Sequence, residues 1–190
     1  MRKTTLSATV SSAKLHASKH FPKRAHLLAS TALVASIALS GQALAQQAWD
    51  PGATDGAIVG GTGAWDGATA NWTVDAGVSN TTYNGTSPVP GAVFGGTGGT
   101  VTVTGAQSIG DLSFGVDGYT VTGGTLNIDA ATSNITVTTG TATISSIIGD
   151  TAVGSLTKSG AGLLVLSGGN SYQGDTDVNA GTLRLSGGLA

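Results

Sequence analysis

The segment 162–169, Gly-Leu-Leu-Val-Leu-Ser-Gly-Gly, returns at 181–188 as Gly-Thr-Leu-Arg-Leu-Ser-Gly-Gly. In each copy leucines occupy alternate positions, which commits one face of a β-strand to a core. A single strand of this kind cannot bury that face alone. Repetition at about 20 residues lets stacked copies bury a continuous core, the mark of a solenoid. Weaker copies begin at Gly99, Gly124 and Gly140. The five glycines therefore fall at 99, 124, 140, 162 and 181, with the longest step first and the shortest second. The average step matches one turn of a right-handed parallel β-helix.

The periodicity predicts strands over 100–104, 108–114, 119–122, 125–128, 135–138, 142–148, 156–158, 163–167 and 176–179. Glycine pairs and Asp-Gly steps, such as Asp117-Gly118 and Gly123-Gly124, separate several of them. The inward set is Val101, Val103, Leu112, Leu126, Ile128, Ile135, Val137, Ile144, Leu156, Leu164, Leu166, Val178, Leu183 and Leu185. Lys158 and Arg184 are expected as solvated charges on strand faces.

The stretch 156–185 resembles the autotransporter-associated β-strand repeat, also called the passenger-associated transport repeat. The resemblance is carried by Leu156, Lys158, Gly160, Gly162, Leu164, Leu166, Gly168, Asn170, Tyr172, Gly174, Thr176, Val178, Asn179, Gly181 and Leu183. It departs at Leu163 and Val165, where the family usually has threonine, and at Asp175 and Asp177. The resemblance implies an all-β fold, a right-handed parallel β-helix preceded by a helical signal peptide. It also implies the N-terminal passenger segment of a type V autotransporter, with a β-barrel translocator as partner. Such repeats support folding coupled to export, and adhesion is the expected role of the passenger. An effector or enzyme module further along the parent chain is the alternative. A self-contained secreted solenoid, structural or ice-binding, is another.

Charge is segregated along the chain. Six of the eight Lys and Arg residues lie within residues 1–24, and all three histidines lie before residue 27. From Gln46 onward Lys158 and Arg184 face ten aspartates, a net charge of −8. A surface of that sign lacks the basic footprint that nucleic acid requires. The chain has no cysteine, so disulfides cannot hold it together after export.

Residues 27–39 form an apolar run that is short of the roughly 20 residues needed to span a bilayer. Ala43 and Ala45 then supply the small residues of a signal-peptidase site, so cleavage is expected after Ala45 and export through the Sec machinery. The domains expected are a signal peptide over 1–45, a capping region over 46–98, and rungs over 99–190 with the repeat at 156–185. The parent protein is expected at the cell surface or secreted. The absence of a barrel-coding stretch suggests a truncated frame or fragment, and a product ending at Ala190 would remain periplasmic.

Trp49, Trp65 and Trp72 all fall in 46–98, and 63–72 resembles the opening that precedes these repeats. Large aromatics suit the cap a first rung needs; the competing role is a stacking platform for sugars. Pro88 and Pro90 cannot donate to a ladder, so 86–91 reads as a loop.

No catalytic, cofactor or metal residues are expected. No histidine remains after residue 26 to act as a base, and no thiol is present to ligate zinc. A lyase would need a basic catalytic residue, and Lys158 and Arg184 both sit inside the repeat. Asp175 and Asp177 give two carboxylates where calcium takes six to eight oxygens, so whether calcium binds is left open. Residues 95–99 are glycine-rich but lack the following lysine of a phosphate loop. Outward threonines, Thr100, Thr102, Thr104, Thr120, Thr122, Thr136, Thr138, Thr141 and Thr143, could form ladders. The unequal steps from Gly99 to Gly124 and from Gly124 to Gly140 count against a regular ice-binding array.

Overall fold

The computed structural model describes residues 46–188 apart from Ala53. The proposed leader, with Ala43 and Ala45, lies outside the described residues. Those residues form an all-β parallel solenoid of fourteen strands, with no helix. The strands are β1 (Gln47–Trp49), β2 (Gly63–Trp65), β3 (Trp72–Thr73), β4 (Ala92–Phe94), β5 (Thr100–Ile109), β6 (Leu112–Phe114) and β7 (Tyr119–Ile128). They continue as β8 (Thr132–Val137), β9 (Thr141–Ile144), β10 (Ile147–Asp150), β11 (Ser155–Ser159), β12 (Leu163–Leu166), β13 (Thr176–Val178) and β14 (Thr182–Leu185).

Two sheets run along the stack. One has the order β13-β11-β8-β6-β4-β1-β3 and the other β14-β12-β9-β7-β5-β2. Every strand pairing is parallel except that of β3 with β1, which is antiparallel. Strands β5 and β7 each bend partway, with a register shift between Val103 and Ala106. The first half of β7 then pairs with β9 and the second half with β10, creating a third face.

The register corrects the glycine spacing. Thr100 pairs with Thr120, Thr120 with Thr143, Thr141 with Leu163 and Leu163 with Thr182, so successive rungs consume nearly equal lengths of chain. Thr125 to Ile128 therefore does not stack in the column of its look-alikes. It lies on the third face, beside Ile147 to Asp150. Gly140, Gly162 and Gly181 do stack in register, each one residue before the paired Thr141, Leu163 and Thr182. Five glycines, Gly96, Gly118, Gly140, Gly160 and Gly181, stand at turns between the two sheets with φ between 64° and 84°. Each turns the chain from one sheet to the other in a left-handed conformation that other residues adopt at a cost.

Alternation along the strands builds the core. Val101, Val121, Ile144 and Leu166 form one buried column, continued in register by Leu185. Tyr119, Ala142 and Leu164 form another, continued by half-buried Leu183. Eleven of the fourteen inward residues expected from sequence are buried. Val178 and Leu185 are exposed at 50% and 43% because β13 and β14 are paired on one side only among the described strands.

Candidate functional site

Two regions carry the features singled out in the sequence: the tryptophan cluster at the β1–β3 end and the repeat at 156–185. The three tryptophans are at most 1% exposed. Trp72 meets Trp49 edge-on at a centroid distance of 5.1 Å and Trp65 at 4.8 Å, with Tyr83 at 4.7 Å. Phe94 links this cluster to the rungs by stacking on Phe114 at 4.7 Å. The Tyr83 hydroxyl donates to the Pro90 carbonyl at 2.5 Å, and burial pushes its pKa up. Rings buried in this way offer no stacking face for a sugar. Trp49 Nε1 donates to the Gly61 carbonyl at 2.9 Å, and Asn71 Nδ2 to the Ala64 carbonyl at 2.8 Å. These bonds fix the loops that carry the rings.

The repeat occupies β11 to β14. Leu156, Leu164 and Leu166 are fully buried, Tyr172 is 7% exposed, and Asn170 is 1% exposed. Asn170 Oδ1 accepts from the Ile148 amide at 2.9 Å, tying its turn to the rung before. The Tyr172 hydroxyl bonds the Thr176 hydroxyl at 2.8 Å. Gly162, Gly168 and Gly174 each lie where a Cβ would press on the backbone of the preceding rung. Asn179 is exposed, and its amide donates to the Lys158 carbonyl at 2.9 Å.

Lys158 corrects the expectation of a solvated charge. It shares the inward parity of Leu156 and is 0% exposed. Its Nζ donates to the carbonyls of Ser159 at 2.7 Å, Gly160 at 2.8 Å and Ala180 at 3.0 Å. Burial pulls its pKa below the ordinary lysine range. Three carbonyl acceptors work in the opposite direction, since each favours the charged form. Arg184 is exposed, as expected.

The aspartates look like plain surface charge in the sequence, but several bind backbone of the following rung. Asp111 Oδ1 accepts from the Asn134 amide at 2.8 Å, and Asp117 Oδ1 from the Thr141 amide at 2.6 Å. Asp150 Oδ2 accepts from the amides of Gln173 at 2.7 Å and Gly154 at 3.1 Å, which lowers its pKa. The signal in the sequence was their placement at strand ends and turns, where aspartate caps backbone amides. Among the described residues no three metal-ligating side chains come together.

The threonines do align. Thr100, Thr120 and Thr143 form one outward column and Thr102 and Thr122 another. The first column is interrupted by Val165 and Arg184. Val165 is only 6% exposed despite its outward parity.

The model of the passenger-associated-transport-repeat family matches residues 156–185. The chain is 38% identical over 157 residues, 80% of its length, to "Adhesin BmaC autotransporter" of Brucella suis biovar 1 (strain 1330). It spans 4% of that relative. No solved structure matches it.

Proposed function

Because this chain is a passenger-associated-transport-repeat protein of the autotransporter type, we propose that it is a non-enzymatic passenger segment of a surface adhesin. Its repeat supports folding during export. The supporting observation is that residues 156–185 form two strand pairs stacked in register on β8 and β9, so each added unit docks on the one before. In a solenoid whose units contact only their neighbours, folding can propagate in this way. Emerging chain then becomes structured on the far side of the membrane and does not slide back.

In this reading the leader over 1–45 directs Sec export and is cut after Ala45, with Ala43 and Ala45 read by the peptidase. Residues 46–98 cap the first rung, 99–190 supply right-handed rungs, and the motif residues of 156–185 define the docking unit. A β-barrel translocator elsewhere in the parent protein carries the passenger to the cell surface. A host or matrix ligand is the partner, and nucleic acid is not.

The test is to fuse the chain to an autotransporter barrel, with and without residues 156–185, and to measure surface display and adherence to host cells. Deletion should lower display several-fold, and cells displaying the intact chain should adhere. Equal display from both fusions would overturn the export role. Display without adherence would overturn the adhesin role.

A further inference from the structure

The inward column Ala92, Leu112, Ile135 is apolar until it reaches Lys158. Its neighbour, Phe94, Phe114, Val137, narrows along the stack and ends where Gly160 lies over Val137. A lysine thus stands in a hydrocarbon column beside a position that has no side chain.

The surroundings explain why a cation is there. Gly160 and Gly181 both hold left-handed turns, with φ of 75° and 70°. The carbonyls of Ser159, Gly160 and Ala180 converge at these turns, and each accepts from Lys158 Nζ at 3.0 Å or less. The ammonium of the fully buried Lys158 would be costly if left unpaired, and these turn carbonyls satisfy it. An ammonium on a flexible stem has three donors, one for each acceptor. Two acceptors belong to the turn that follows Lys158. The third belongs to the turn of the next rung, 22 residues away.

We infer that Lys158 is a rung-to-rung latch, a positioning residue that seats the Ala180-Gly181 turn on the Ser159-Gly160 turn below it. The repeat thereby carries a preformed docking point for the next stretch of this same chain. Strand register alone does not supply it: Lys158 also pairs through its backbone, but the side-chain bond is the one that reaches from the core to the following turn. The inference stands on this geometry whether or not the chain is exported.

The experiment compares amide hydrogen exchange in the full chain and in Lys158→Met, which fills the same column but pairs none of the carbonyls. The amides to follow are Asn179 and Thr182, which bond the carbonyls of Lys158 and Gly162. Thr120 and Ser145, bonded to Gly99 and Val121, serve as controls. Exchange at Asn179 and Thr182 should quicken at least tenfold, with the controls unchanged within twofold. No local change, or an equal change at all four amides, would overturn the latch. A second readout needs no variant: the Lys158 Nζ signal in nitrogen-15 NMR of the full chain at neutral pH. A slowly exchanging, protonated ammonium supports the latch. A neutral amine, or an ammonium exchanging as fast as free lysine, overturns it even if the methionine variant does not fold.

Discussion

Leu164 and Leu185 test whether burial in the stack, beyond strand parity, sets the energetics. Both are leucines at inward positions of the same repeated segment. Leu164 is fully buried, with Ala142 and Leu183 in register on either side. Leu185 follows Leu166 in its column but is 43% exposed. Truncating a fully buried leucine costs about 2–5 kcal/mol, the spread reflecting how far the site collapses. The small Ala142 beside Leu164 leaves little side chain to move into the space, so Leu164→Ala should cost about 3 kcal/mol. Complete burial of a leucine contributes about 1.5–3 kcal/mol. Leu185 keeps little more than half of its burial, so Leu185→Ala should cost about 1 kcal/mol. Urea unfolding followed by tryptophan fluorescence measures both, and the slope against urea should stay constant if only stability changes. All three tryptophans lie in the buried cluster, so loss of structure there gives a large signal. Equal costs for the two variants, or a cost below about 1 kcal/mol for Leu164→Ala, would refute the reasoning.

Other perturbations separate the remaining contributions. Gly160→Ala and Gly118→Ala both force alanine into a left-handed conformation, at about 1–3 kcal/mol. Gly160→Ala should cost more by thermal unfolding, because its Cβ meets the Val137 carbonyl whereas that of Gly118 meets nothing. Trp72→Ala should cost about 3–5 kcal/mol by urea unfolding, as Trp72 packs on Trp49, Trp65 and Tyr83 at once. The Asp75 carboxyl is lowered to about 2 by hydrogen bonds from Ser79 and Thr73. A depressed carboxyl adds stability above its ordinary pKa and loses it as pH falls toward the folded value. Amide exchange at Ser79, corrected for its intrinsic pH dependence, should therefore quicken as pH drops from about 4 toward 2, and Asp75→Asn should remove that dependence.

Much of the architecture was legible because a β-strand has a period of two. Leu164 and Leu166, or Val101 and Val103, declare a face without any tertiary information. What alternation cannot declare is which face of the solenoid a strand joins. Gly124 to Ile128 copies the pattern of Gly140 to Ile144, yet the bend in β7 places it on the third face. The apparent irregularity on either side of Gly124 arises there, and turns of differing length absorb it. Lys158 was legible in parity, since it sits two positions after Leu156, but its charge argued for solvent. Only the convergence of three carbonyls from two turns makes its burial tolerable, and that convergence is tertiary. The positions of Asp111, Asp117 and Asp150 at strand ends and turns were legible, but not which amides they cap, because each accepts from an amide of another rung, at sequence separations of 23, 24 and 23.

The stacking itself is best measured by distances along one outward column. Thr100, Thr120, Thr143, Val165 and Arg184 are in register on successive rungs. Neighbouring strands lie about 4.8 Å apart, so backbone positions 100 and 165 should be about 14 Å apart and 100 and 184 about 19 Å. With no native cysteine to interfere, spin labels can be placed at pairs of these positions and their separations read by electron paramagnetic resonance. Separations that grow by one equal step per rung, after allowance for the label arms, are the predicted result. Separations that do not increase in rung order would contradict the solenoid and everything built on it.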